Sequence, residues 1–123
     1  MATRLDLSTE YIITHVPTAP SRVRQRGYDQ AELIARALAR RLDWPHRTLL
    51  ARTNAARQLG QTRSVRLQQL HQAFRVLSPE TVGRQPILLV DDVLTTGSTC
   101  EAAAAALRAA GAAHVSAAIF AAA

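Results

Sequence analysis

Ile87-Leu88-Leu89-Val90-Asp91-Asp92-Val93-Leu94-Thr95-Thr96-Gly97-Ser98-Thr99 is the stretch on which the reading of this 123-residue chain turns. Four apolar residues, two of them β-branched, follow Pro86 and predict a buried strand of a parallel sheet. Two carboxylates arrive together where that strand should end, a run of small hydroxyl residues follows, and an alanine-rich helical segment comes next. Strand, acidic pair, hydroxyl loop and helix in this order build a phosphate site at the carboxyl edge of an open α/β sheet. The loop's backbone N–H groups and the positive end of the helix dipole would face an anion. Thr95, Thr96, Ser98 and Thr99 add hydroxyl donors, and Gly97 lets the backbone approach without a Cβ clash.

The acidic pair would repel a bare phosphate, so it should meet another part of the same ligand. Ribose hydroxyls fit, because an ionised carboxylate accepts their hydrogen bonds at about 1.5–3 kcal/mol each. A Mg²⁺ ion held mainly by ligand phosphates and water is the other candidate. A sugar 5-phosphate satisfies pair and loop together. A Walker B strand would look similar, but the chain has no G-x-x-x-x-G-K-[ST] and contains no lysine. A response-regulator receiver would need a further aspartate, and none follows Asp92. A strand end with a solvated Asp pair is the plain structural alternative.

Val90-Asp91-Asp92-Val93-Leu94-Thr95-Thr96-Gly97-Ser98-Thr99 resembles the signature of the type I phosphoribosyltransferases, which bind 5-phosphoribosyl 1-pyrophosphate (PRPP). The resemblance implies that Asp91 and Asp92 contact the ribose 2- and 3-hydroxyls. Together with Val93, Leu94, Thr95, Thr96, Gly97, Ser98 and Thr99 they would bind the ribose and its 5-phosphate. It also makes the two aspartates the catalytic candidates, acting electrostatically on a positively charged ring rather than as a general base. Mg²⁺ would come with PRPP, with no direct protein ligand. The implied fold is α/β, a mostly parallel open sheet with flanking helices.

Upstream, Tyr11-Ile12-Ile13-Thr14-His15-Val16 reads as a strand that Pro17 and Pro20 bring to a loop. Arg22, Arg24 and Arg26 alternate, and on an extended chain they would point to one side, as a clamp for a dianion or equally as a solvated arginine edge. Val16-Pro17 followed by Arg22-x-Arg24-x-Arg26-Gly27-Tyr28-Asp29-Gln30 resembles a run of the ComF-type phosphoribosyltransferases, the competence-associated members linked to DNA uptake in bacteria. This implies a pyrophosphate loop of Pro17, Thr18, Arg22 and Arg24. Asp29 and Glu32 form an acidic capping box for a helix to about Leu42, with Leu33, Ile34, Ala37, Leu38 and Leu42 as its apolar face and Arg36, Arg40 and Arg41 outside it. Trp44 reads as a packing residue, and His46 and His71 as surface residues.

Thr48 to Arg52 and Phe74 to Leu77 are strand candidates, separated by a polar loop over 53–63 and a short helix over 65–72 that Ser64 would cap. Gln58, Arg66 and Ala73-Phe74 match the ComF-type closing loop, while Gln61 and Gln69 depart from it. Arg57, Arg63 and Arg66 are therefore candidates to screen the leaving pyrophosphate, with a solvated polar face as the alternative. Ser78 to Pro86 reads as a turn region. Ser98-x-x-Glu101 caps the following helix, Gly111 stops it, Cys100 packs within it, and His114 to Phe120 is a last strand.

The length predicts one domain, 1–123, with its motif-bearing core at 11–120. No stretch reaches the roughly 18–20 apolar residues of a membrane span. One cysteine excludes an internal disulfide and a cysteine zinc site, and cytoplasm is the default compartment. The net charge is +6, and all 15 basic residues are arginines, which favours anionic partners. A GC-biased genome would give the same composition, so charge alone decides little. The hood that recognises the acceptor in this family reads as minimal or absent, since ten residues precede Tyr11 and three follow Phe120.

Two functions are expected from the resemblance. One is transfer of phosphoribosyl from PRPP to an unidentified nitrogenous acceptor with release of pyrophosphate. The other is a non-catalytic competence role, binding single-stranded DNA or competence proteins. A homodimer is compatible with either.

Overall fold

The computed structural model describes residues 9–53, 73–92 and 97–120, apart from the side chains of Arg22, Gly97 and Ser98. Its strands are β1 (Ile12–His15), β2 (Leu50–Arg52), β3 (Phe74–Val76), β4 (Pro86–Asp92) and β5 (His114–Phe120). Its helices are α1 (Pro20–Arg26), α2 (Gln30–Leu42), α3 (Pro79–Val82) and α4 (Gly97–Ala109).

β4 is the centre. It pairs in parallel with β1 on one side, Ile13 opposite Leu88, and with β5 on the other, Leu88 opposite Ser116. The Pro45–Arg47 segment runs along the free edge of β1: Ile13 N–H donates to Pro45 O and Arg47 N–H to Ile13 O, both at 2.9 Å. β2 and β3 form a separate antiparallel pair. The fold is thus the expected open, mostly parallel sheet with flanking helices.

Alternation along β4 builds two cores. Ile87 and Leu89 pack with Ala103 and Leu107 of α4 and with Leu49, Leu50, Phe74 and Val82. Leu88 and Val90 face the other way, onto Tyr11, Ile13 and the Ala35 and Ala39 positions of α2. Alanines on both helices let helix and sheet approach closely. Trp44 packs as expected, its ring centroid 5.2 Å from that of Tyr11. Gly111 takes the left-handed conformation predicted for it, at φ 106°. No helix among the described residues is long and apolar enough to cross a membrane.

Several expectations need correction. The arginine-rich segment after Pro20 is not extended but is the helix α1, with Pro20 at its first turn and Gly27 as its C-cap at φ 84°. Residues two apart on a helix do not share a face, so the three arginines are no single-sided clamp. On α2 the buried stripe is Ala31, Ala35 and Ala39. Of the predicted face, Ile34, Leu38 and Leu42 are half-buried against the core around Leu88 and Val90, whereas Leu33 is 52% exposed and Ala37 is also exposed, so the helix is turned only in part from it. The region before β4 contains α3 rather than only a turn. His46 is half-buried against His15. The predicted helix over 65–72, His71, the loop candidates Arg57, Arg63 and Arg66, and Val93 to Thr96 of the phosphate loop lie outside the described residues.

Candidate functional site

The carboxyl ends of β1 and β4 are adjacent, since Val16 N–H donates to Val90 O at 2.8 Å. The segment beginning at Pro17 therefore leaves the sheet beside Asp91-Asp92, and α4 begins a few residues after that pair. Both aspartates lie inside β4, not beyond it, and are 0% and 2% exposed. Because they are consecutive strand residues they face opposite sides: Asp91 continues the Ile87–Leu89 row towards α4, and Asp92 the Leu88–Val90 row towards α2. Asp91 Oδ1 accepts the Asp92 N–H at 2.8 Å, which fixes its rotamer. Asp92 Oδ2 lies 3.8 Å from Arg26 Nη1. A ligand lying across the carboxyl edge, rather than on one face, is what both could meet.

The loop after β1 is tied from two directions. Arg52 Nε donates to Pro17 O at 2.8 Å, with its guanidinium over the Phe74 ring. Asp29 takes the Thr18 N–H at 3.1 Å and the Thr18 hydroxyl at 2.7 Å. The same carboxylate caps α2 as predicted, through Glu32 N–H at 3.3 Å. Thr18 is thus 6% exposed, with both of its donors directed to Asp29. Arg24 is exposed in the last turn of α1, and Arg22 lies on that helix.

His15 and His46 were not marked as a pair by the sequence, since no motif spacing links them. Their rings stack at 5.6 Å and 10°, with His15 Nδ1 and His46 Nε2 3.4 Å apart. His15 Nε2 is 3.9 Å from Asp29 Oδ2. Burial lowers the His15 pKa below the ordinary 6.5 and outweighs the upward pull of Asp29 and Glu32, so the contact with Asp29 is that of a neutral ring. Burial and then His15 lower His46 as well. The unfolded chain takes up protons at these histidines near 6.5, whereas the folded one does so only at lower pH. The unfolded state therefore binds more protons in that window, and stability falls as pH drops below the ordinary value. Urea midpoints should decline from pH 7.5 to 5.5, and His15→Asn with His46→Asn should flatten that decline.

Cys100 is 5% exposed in the first turn of α4, and burial, followed by Asp91 and Glu101, pushes its thiol up to about 11. At neutral pH it is a packing residue, as expected, rather than a nucleophile. Iodoacetamide should label it only on the timescale of unfolding; fast labelling of the folded protein would contradict this environment.

Among the described residues no group of three or more His, Cys, Asp or Glu could hold a metal.

Comparison with known proteins agrees with this architecture. The chain is 37% identical to competence protein F of Haemophilus influenzae over 90 residues, which is 71% of this chain and 39% of that protein. It spans about two-fifths of the length of this curated relative. A solved structure described as the allosteric regulatory enzyme of purine biosynthesis superposes with a TM-score of 0.61 at 20% identity. That match covers 89% of this chain and 21% of the other, and it speaks for the fold alone. The family model for the phosphoribosyl transferase domain matches residues 29–123, a span that takes in the α2 cap, the acidic pair and α4, and the chain belongs to that family.

Proposed function

We propose that this chain binds PRPP with Mg²⁺ across the carboxyl edge of its sheet and transfers the phosphoribosyl group to a nitrogenous acceptor. The observation that carries the reading is the buried Asp91-Asp92 pair at the end of the central parallel strand, leading into α4. Carboxylates are acceptors at the edge where a ligand would lie, and ribose hydroxyls are donors of the right kind. In the reaction the C1–O bond breaks with its electron pair leaving on pyrophosphate, a bond from C1 to the acceptor nitrogen forms, and the proton that nitrogen loses passes to water. Mg²⁺ would offset the charge that builds on the leaving pyrophosphate. Asp91 and Asp92 would hold the ribose and face the positive charge on its ring, while the pinned Pro17–Thr18 loop and the arginines of α1 would serve the leaving group. The hydroxyl residues leading into α4, with Ser98 and Thr99 in its first turn, would take the 5-phosphate.

Calorimetric titration of PRPP with Mg²⁺ should show binding to the wild type and its loss in Asp91→Asn/Asp92→Asn. Wild-type binding would justify an acceptor screen for pyrophosphate release, and absence of binding to the folded wild type would overturn the proposal. The likeness to competence protein F and the +6 charge favour a second reading, a competence role in binding single-stranded DNA. A steep fall of single-stranded DNA affinity with salt is its test.

A further inference from the structure

We propose that the outer edge of β5, with the groove between it and α2, docks an extended acidic segment of a partner protein, which adds to the sheet as a strand beside β5. The surface is separate from the ribose-phosphate reading and does not depend on it. Among the described residues β5 pairs with β4 alone, so the backbone N–H and C=O groups along its other side have no ladder partner there. Edge strands are ordinarily guarded by charge, proline, a bulge or shortness. β5 has none of these guards. It runs for seven residues, contains no Pro, Arg, Asp or Glu, and pairs with β4 residue for residue from His114 to Phe120. Ile119 is 52% exposed on it.

The second observation lies on the α2 face of the same strand. Phe120 stands in the row of Leu88 and Val90, and with Ile34, Ala37 and Leu38 it lines an open groove of about 520 Å³. Arg40 and Arg41 complete the lining, and both are exposed. Neither has a carboxylate partner among the described residues, whereas Arg36, one turn earlier, is paired with Glu32. The occupant follows from shape and charge. A small ligand needs a site that encloses most of its surface, and a groove walled by exposed side chains does not supply one. A second copy of a chain with net charge +6 would bring more arginines to Arg40 and Arg41. An acidic segment offsets them. In strand addition the main chain provides affinity and pockets for alternate side chains provide specificity. One apolar side chain on Phe120 and a carboxylate two residues away, on the same face, would meet both parts of the groove.

The probe is the synthetic peptide Leu-Thr-Glu-Thr-Leu-Thr-Glu, labelled at one end, which presents leucine and glutamate in turn on one face of a strand. Fluorescence anisotropy should show it binding the full chain, with its lysine counterpart at least about tenfold weaker at low salt. Arg40→Gln/Arg41→Gln should weaken the glutamate peptide about fivefold at an unaltered melting temperature. Two further peptides carry N-methyl groups on alternate residues, one in each phase. An added strand pairs along one edge only, so one of them should lose binding and the other keep it. Loss in both, or in neither, would overturn strand addition. So would equal affinity for the lysine peptide, unchanged affinity in the arginine variant, or no binding of the glutamate peptide. Sedimentation of the chain alone as a dimer, with β5 amides protected from hydrogen exchange only in that dimer, would assign the edge to a second copy and overturn the proposal as well.

Discussion

Asp29→Ala should destabilise the protein by about 2–4 kcal/mol, lowering its melting temperature by roughly 10 °C. One carboxylate here does several jobs at once. It caps α2 through Glu32 N–H, and losing an N-cap costs about 0.5–2 kcal/mol. It also takes both donors of Thr18, and hydrogen bonds to a charged acceptor are worth about 1.5–3 kcal/mol each. These contributions share one side chain and are not additive, which is why the expected sum is less than their total. Alanine leaves the Thr18 N–H and hydroxyl, in a 6% exposed residue, without that acceptor. Asp29→Asn is the informative companion. Its amide oxygen can replace Oδ1, which serves Glu32 N–H and the Thr18 hydroxyl, but an NH₂ in place of Oδ2 would confront the Thr18 N–H. It should fall about midway between wild type and alanine in urea unfolding. Equal midpoints for wild type and Asp29→Ala would show that the loop after β1 is held by Arg52 alone.

The centre of the fold was legible because its signals agree at every level. An apolar run, an acidic pair, a glycine-containing hydroxyl loop and an alanine-rich helix all point to one arrangement, and β4 and α4 stand where they were expected. The Asp29 cap was legible for the same reason, since it is a local contact. The errors arise where distant parts of the chain decide. On α2 the face read from the large apolar residues holds at Ile34, Leu38 and Leu42, which pack against the core, but the fully buried stripe is Ala31, Ala35 and Ala39, and Leu33 and Ala37 are exposed. In α1, Pro20 and Gly27 are helix boundary signals, but the segment was read as a loop whose alternate arginines would share a side if the chain were extended. The His15–His46 stack joins residues 31 apart in sequence, a meeting that only the path of the chain along β1 produces. Carboxylates are poor strand formers, so the strand was read as ending at Val90, which hid the fact that its pleat sends Asp91 and Asp92 to opposite faces.

That last point shapes the second large effect. Asp91→Asn and Asp92→Asn should each weaken PRPP about tenfold, and the double variant about a hundredfold or more, by loss of charged acceptors for the sugar hydroxyls. Shape is retained, since Asn Oδ1 at position 91 can still accept the Asp92 N–H. Stability should hold or rise, because the changes remove two like charges from a buried strand end. Loss of binding could then not be ascribed to unfolding, and a melting curve on each variant would establish this. The two positions should also differ in kind. Asp92→Asn leaves Arg26 facing a neutral amide, so its effect on affinity should shrink as salt rises and screens that half-exposed cation. Asp91, fully buried on the α4 side, is sheltered from such screening, and the effect of its replacement should vary little with salt. A double variant that binds PRPP within about threefold of wild type would remove the pair from the ligand site. The burial of both carboxylates at the edge of the sheet would then have to be explained by the fold alone.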